Sequence, residues 1–179
     1  MTLRHWLKYL HLAYFSKPVG DRILYRGIRK IEPCRIVHIG LGSVERTQRL
    51  LDLAVPCAPG VVQFTGIDMF EAADKTSLKD FHRAMSRDGV RLKLVPGDAY
   101  SGLARIANVL SDTNLLLIGS DVDDAKLDAA WFYVPRMLAD GAIVLREREG
   151  TESGPVWEAV RIEDIFTWAD AQRLARRAA

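Results

Sequence analysis

The chain has 179 residues, 49% of them hydrophobic and 27% charged, with a formal net charge of +2. This is an ordinary globular balance, and it excludes a disordered chain or a fibrous repeat. Two cysteines, Cys34 and Cys57, exclude a disulfide scaffold. No run approaches the ~18 apolar residues that span a bilayer, and no signal-peptide core is visible at the N-terminus. A cytoplasmic protein without a membrane partner is the expectation.

The pattern predicts one α/β domain over 1–179, with a helical extension over 1–32, a core over 33–148 and a short strand and helix over 149–179. Leu3, Trp6, Leu7, Leu10, Ala13 and Tyr14 recur at helical spacing and give a first amphipathic helix over 2–15. Ser16-Lys17-Pro18 ends it. A second helix is expected over 21–30, capped by Asp21, with Ile23, Leu24 and Ile28 as its apolar stripe. From Arg35 the pattern alternates. Strands are expected over 35–40, 61–68, 90–95, 115–118 and 142–145. The helices between them start at Ser43 and stop before Pro56, then cover 77–87, 100–110 and 124–138. A sixth strand over 156–162 and a closing helix over 163–177 complete the reading. Short strands separated by helices are successive βαβ units, and right-handed crossovers place helices on both faces of a mostly parallel, Rossmann-like sheet.

In such a sheet, ligands bind at the carboxyl ends of the strands, where the strand order reverses. Those ends are Gly40-Leu41-Gly42-Ser43, Asp68-Met69, Gly97-Asp98-Ala99, Gly119-Ser120-Asp121 and Arg146-Glu147. Gly40 and Gly42 allow the backbone to approach a ligand beside the free N–H groups of a helix start, although two glycines also simply make a tight turn. Asp68 can accept hydrogen bonds from both hydroxyls of a ribose, or act as a turn residue. Asp98 can accept from an exocyclic amine or cap the next helix.

These residues carry a resemblance. Ile36-Val37-His38-Ile39-Gly40-Leu41-Gly42-Ser43 resembles the first motif of class I S-adenosylmethionine-dependent methyltransferases. Thr65-Gly66-Ile67-Asp68 is similar to their ribose-binding strand end, and Val95-Pro96-Gly97-Asp98-Ala99 to their adenine-side motif. The stretch from Asn114 to Ile118, with Trp131, Pro135, Leu138, Asp140-Gly141 and Ala142-Ile143-Val144, resembles the later motifs of small-molecule methyltransferases. The resemblance implies a three-layer Rossmann-like fold and S-adenosylmethionine as cofactor. It also implies His38, Gly40, Leu41, Gly42, Asp68, Met69, Asp98, Ala99 and Gly119 as cofactor-binding residues, with Asp121 and Glu147 facing the acceptor. The acceptor is a small molecule or another methyl acceptor. Three positions depart from the family. His38 stands where an acidic residue is usual, Val44 where a third glycine is usual, and Gly119 where a carboxylate is usual, with Asp121 the nearest substitute. Too few residues follow Arg148 for the usual final helix and antiparallel hairpin.

The departures keep a second reading open, a non-catalytic binding or scaffold domain that retains the fold. A nicotinamide dinucleotide oxidoreductase is a third, but G-x-G-x-x-G would need glycine where Glu45 stands, and no Tyr-x-x-x-Lys pair exists. Asp121-Val122-Asp123-Asp124 opens like a calcium loop, yet Lys126 replaces its glycine and Phe132 its glutamate. The four histidines lack zinc spacing, so no metal is expected. Arg4, Lys8, Lys17, Arg22, Arg26, Arg29 and Lys30, with Arg173, Arg176 and Arg177, make both ends basic. A solvated basic face explains this better than nucleic acid, because no aromatic RNA-binding signature accompanies it.

Overall fold

The computed structural model describes residues 2–70, 76–150 and 155–178. Its centre is a six-stranded sheet, β1 (Arg35–Ile39), β2 (Val62–Asp68), β3 (Val90–Pro96), β4 (Thr113–Ile118), β5 (Leu138–Arg148) and β6 (Val156–Val160). The strands lie in the order β3-β2-β1-β4-β5-β6, and only β6 runs antiparallel. The near-continuous apolar runs of β1, β2 and β4 follow from burial on both faces. One face is covered by α2 (Asp21–Ile31), α3 (Val44–Cys57) and α4 (Leu78–Met85), which pack Leu24, Leu50 and Phe81 against Ile36, Phe64 and Leu117. The other is covered by α5 (Ala99–Ile106), α6 (Asp124–Ala130) and α7 (Ile162–Ala178), which pack Leu103, Leu127 and Ile165 around Val37, Ile39 and Leu116. Strand order reverses between β1 and β4, so their carboxyl ends frame the expected crevice.

Helix starts follow side-chain chemistry. Ser43, Ser77, Asp98 and Asp123 each cap a helix by accepting a backbone N–H in its first turn. Several expectations are corrected. The first helix, α1, covers only Leu3–Leu10 and continues as one π-helical turn over His11–Phe15. Asp21 does not cap α2. It is that helix's first residue after Gly20, and its carboxylate is taken by Arg46 and the Trp157 indole. α3 runs through Pro56 to Cys57, because the Ala58 N–H still closes on the Ala54 carbonyl past the proline. α4 and α5 are shorter than expected, ending at Met85 and Ile106.

The largest correction falls on 124–138. α6 stops at Ala130, turns follow, and Leu138 is already in β5, paired with Thr113. Pro135 disfavours helical backbone at Val134, and the Met137 carbonyl accepts from Thr113 N–H at 2.9 Å. Asp140-Gly141 is thus a kink inside β5. Gly141 has φ +72°, and the pairing moves from Thr113–Leu138 to Leu115–Ile143 across it. The sixth strand is real but ends at Val160, and the sheet closes with this single antiparallel strand.

Candidate functional site

The Gly40-Leu41-Gly42 turn is fixed from three sides. Gly40 extends the sheet by donating its N–H to the Ile67 carbonyl at 2.9 Å, and Gly40 and Gly42 both have left-handed backbone, at φ +70° and +59°. Leu41 is buried between them, and its N–H donates to Oδ2 of Asp68 at 2.7 Å. The buried Asp68 carboxylate therefore joins the end of β2 to the turn after β1. Gly97 donates to the Asp68 carbonyl at 2.9 Å, and Gly119 to the Ile39 carbonyl at 2.8 Å. Four strand ends are thereby bonded into one surface.

Two clefts open on it. One, of about 350 Å³, lies over Leu41, Gly42, Ser43 and Val44 and is walled by Phe70 and Phe81. The other, of about 110 Å³, lies between Gly40, Met69, Asp98, Ala99 and Asp121. Asp68 lines both. The larger cleft alone reaches the roughly 300–1,000 Å³ of small-molecule sites. Met69 is exposed at the mouth of the smaller one. Asp98 caps α5, its Oδ1 accepting from Ser101 N–H at 2.9 Å. Burial pushes its pKa up, but the hydrogen bonds from Ser101 and Tyr100 outweigh this and hold the carboxyl below the usual range. Val44, at the family's third glycine, is the first residue of α3 and needs no left-handed backbone.

The structure does not bring every expected residue into the clefts. His38 is buried in β1 with Phe64 and Trp157 edge-on at 6.5 and 6.2 Å, and neither ring nitrogen has a hydrogen-bond partner among the described residues. Desolvation, then the nearby Arg46 cation, lowers its pKa to about 3, so the ring is neutral at pH 7. Gly119 has no room for a carboxylate. A Cβ there would overlap the Gly40 carbonyl oxygen and lie 3.0 Å from Oδ1 of Asp121. Asp121 itself sits over Gly40, with Oδ1 2.5 Å from where a Gly40 Cβ would be. Glu147 lines neither cleft. It is buried, accepting from Ser120 N–H and Oγ at 3.1 and 3.2 Å and pairing with Arg46 at 2.8 Å.

Sequence reasoning missed the cluster that holds Glu147. Arg46, in the first turn of α3, also pairs with Asp21 at 3.1 Å and lies 5.8 Å over the Trp157 ring, while Trp157 Nε1 donates to Asp21 Oδ1 at 3.1 Å. The signal was faint. A cation in a helix's first turn opposes the helix dipole and needs a compensating partner, but Asp21 and Glu147 lie far away in sequence.

His38 gives a pH prediction. Its folded pKa is below the ordinary 6.5, so neutral His38 stabilises the fold above that value and the contribution drains as pH falls toward 3. Between pH 7 and 5 the protein should lose about 2 kcal/mol more than His38→Leu in urea titrations. Identical pH dependence of the two would refute it.

No family model matches the chain, and no curated protein matches it at the sequence level. Solved structures do match. The O-methyltransferase from Bacillus cereus, in complex with SAH, superposes with TM-score 0.56 and 14% identity, covering 82% of this chain and 67% of that one. MycE methyltransferase from the mycinamycin biosynthetic pathway, in complex with Mg and SAH, gives 0.51 and 18%, covering 80% and 35%. The O-methyltransferase TomG from Streptomyces achromogenes, in complex with SAM, gives 0.50 and 14%, covering 82% and 66%. The chain has the class I methyltransferase fold. It spans about a third of the length of MycE and about two thirds of the other two.

Proposed function

We propose that the chain binds S-adenosylmethionine and transfers its methyl group to an acceptor. The observation that carries this reading is Asp68, a buried carboxylate at the end of β2, bonded to the Gly40-Leu41-Gly42 turn and lining both clefts. The residues present fit the cofactor. Asp68 suits a ribose diol, Asp98 and Ala99 suit an adenine, and the left-handed Gly40 and Gly42 add no side chain of their own to the turn. His38 is neutral and buried, so it offers no charge to an ammonium group. Asp121 over Gly40 supplies the negative charge there instead.

The bound cofactor would supply an electrophilic methyl on a sulfonium, whose C–S bond breaks as the acceptor's lone pair forms the new bond. The chain's contribution is to bind, orient and exclude water, since holding nucleophile and methyl in line at about 3–3.5 Å provides most of the acceleration. Asp121 lines the smaller cleft, where its carboxylate is assigned to the ammonium group rather than to the acceptor. Glu147 is committed to Arg46 and Ser120. That commitment, with the narrow second cleft, favours one further reading, a domain that binds the cofactor without transferring its methyl.

Calorimetric titration with S-adenosylmethionine and S-adenosylhomocysteine, beside NAD and NADP, tests the proposal. Binding of the first pair should be micromolar and weaken at least about tenfold in Asp68→Ala, the value of a lost hydrogen bond to a charged group. Asp68→Asn, which keeps an acceptor for Leu41 N–H, separates ribose recognition from support of the turn. Binding of NAD alone, or of none of the four, would overturn the reading.

A further inference from the structure

The first helix turns the wrong way for a core helix. Most of its apolar stripe, which amphipathicity alone would place against the sheet, faces outward: Leu3, Trp6, Leu7 and Tyr14 are 73, 40, 54 and 48% exposed, no residue of α1 is buried, and of the stripe Ala13 turns inward past the end of α1. The helix is held by its other side. Lys8 pairs with Asp52 of α3 at 2.6 Å, Tyr9 packs on the core beneath the Arg29 guanidinium at 5.5 Å, and Leu12 and Ala13 are buried in the turn that follows. With these anchors made, the stripe cannot roll inward without losing them. It also continues past α1. Tyr14 is shared with a groove of about 270 Å³ whose other walls include the exposed Val19 and Ile23 and the cations Arg22 and Arg26.

Among the described residues the charge around this face is mostly positive, with Asp52 and Glu45 paired to Lys8 and Arg49 and Glu32 standing at the far end of α2. Between residues 2 and 31 the sole acidic residue is Asp21, and it is buried against Arg46 and Trp157. Arg22 and Arg26 bond backbone carbonyls, and neither they nor Arg4 and Lys17 form an ion pair among the described residues. Two copies of such a face would oppose like charges across a two-fold axis, which argues against self-association. A short helix with aromatic and leucine side chains on one flank and an excess of cations beside it has the chemistry that lies in the headgroup plane of an anionic bilayer. No described helix is long and apolar enough to cross a membrane, so the contact would be along its surface.

We propose that the outward stripe of α1, with the adjoining groove between Tyr14, Val19 and Ile23, docks on an anionic phospholipid bilayer. The inference rests on α1, its anchors and the surrounding charge, and it is independent of the cofactor reading.

The full chain should co-sediment with vesicles of phosphatidylcholine containing about 30% phosphatidylserine and remain in solution with pure phosphatidylcholine, with binding falling as salt is raised. The doubly substituted Leu3→Ser and Leu7→Ser protein should bind the anionic vesicles at least about tenfold more weakly, because both side chains are exposed in solution and reach apolar surroundings only on the bilayer. Arg22→Gln and Arg26→Gln should each cost about fivefold. The leucine variants should keep the parent melting temperature, which separates lost docking from lost folding. No partition of the parent chain into anionic vesicles would overturn the proposal, as would binding indifferent to the leucine variants. A concentration-dependent dimer dissolved by the leucine variants would assign the face to a second copy. Retention on single-stranded oligonucleotide, lost in the arginine variants and unchanged in the leucine variants, would assign it to nucleic acid.

Discussion

Arg46→Ala should destabilise the fold by about 3–5 kcal/mol, the cost of stranding buried charges by deleting their partner. Arg46 is the cation between two carboxylates whose side chains are only 2 and 3% exposed, Asp21 and Glu147. Without it both remain buried, held by the Trp157 indole and by Ser120. The damage would spread because the partners come from α2, α3, β5 and β6, elements that tie the N-terminal helices to the far end of the sheet. The charge origin is separable from packing. In the Arg46→Ala background, adding Asp21→Asn and Glu147→Gln should recover a good part of the loss, since neutral amides tolerate burial that carboxylates do not. Urea denaturation of the three proteins checks this. A loss below about 1 kcal/mol for Arg46→Ala would show the pair to be solvated and weak. Cofactor affinity should also fall, because the Arg46 ion pairs anchor the first turn of α3, which follows Gly42 and Ser43.

The parts of the molecule legible in the sequence are those where local chemistry and tertiary packing agree. β1, β2 and β4 are apolar because helices cover both faces, and Ser43, Ser77 and Asp98 mark helix starts because their oxygens reach a first-turn N–H. Reading fails where a distant partner decides. Residues 131–138 follow a helical period, yet Thr113 draws Met137 and Leu138 into the sheet. Asp21 looks like a cap and is a buried ion-pair partner, because Arg46 and Trp157 lie 25 and 136 positions away. The candidate site divides the same way. Asp68, Asp98 and the glycine turn stand at strand ends, whose place follows from the βαβ order, and all of them line or adjoin the clefts. Glu147 also ends a strand, but it points to the helix layer, an orientation fixed by Arg46 that alternation along one strand does not reveal.

Gly119→Asp, which restores the carboxylate usual in the resembling family, should weaken this protein instead of repairing it. The family comparison treats Gly119 as a lost functional group, whereas the packing shows a position with no space for any side chain. Its Cβ would overlap the Gly40 carbonyl oxygen, and this neighbour is backbone already committed through the Gly40 N–H to Ile67. A rigid neighbour places the penalty at the upper end of overpacking, about 3 kcal/mol. The new carboxylate would also stand beside Asp121, whose Oδ1 lies 3.0 Å from the Cβ position, and two like charges at that range disfavour each other's ionised form. Gly119→Ala isolates the steric part and should show most of the loss in urea titration. Gly119→Asp should lose more above pH 7 than below pH 4, where protonation removes the repulsion. Because Asp121 already carries a carboxylate over the Gly40 turn, Asp121→Ala should bind S-adenosylmethionine more weakly. A Gly119→Asp protein with an unchanged midpoint and tighter cofactor binding would instead mean that the turn after β4 opens in solution enough to admit the side chain, and that the carboxylate belongs at Gly119 rather than at Asp121.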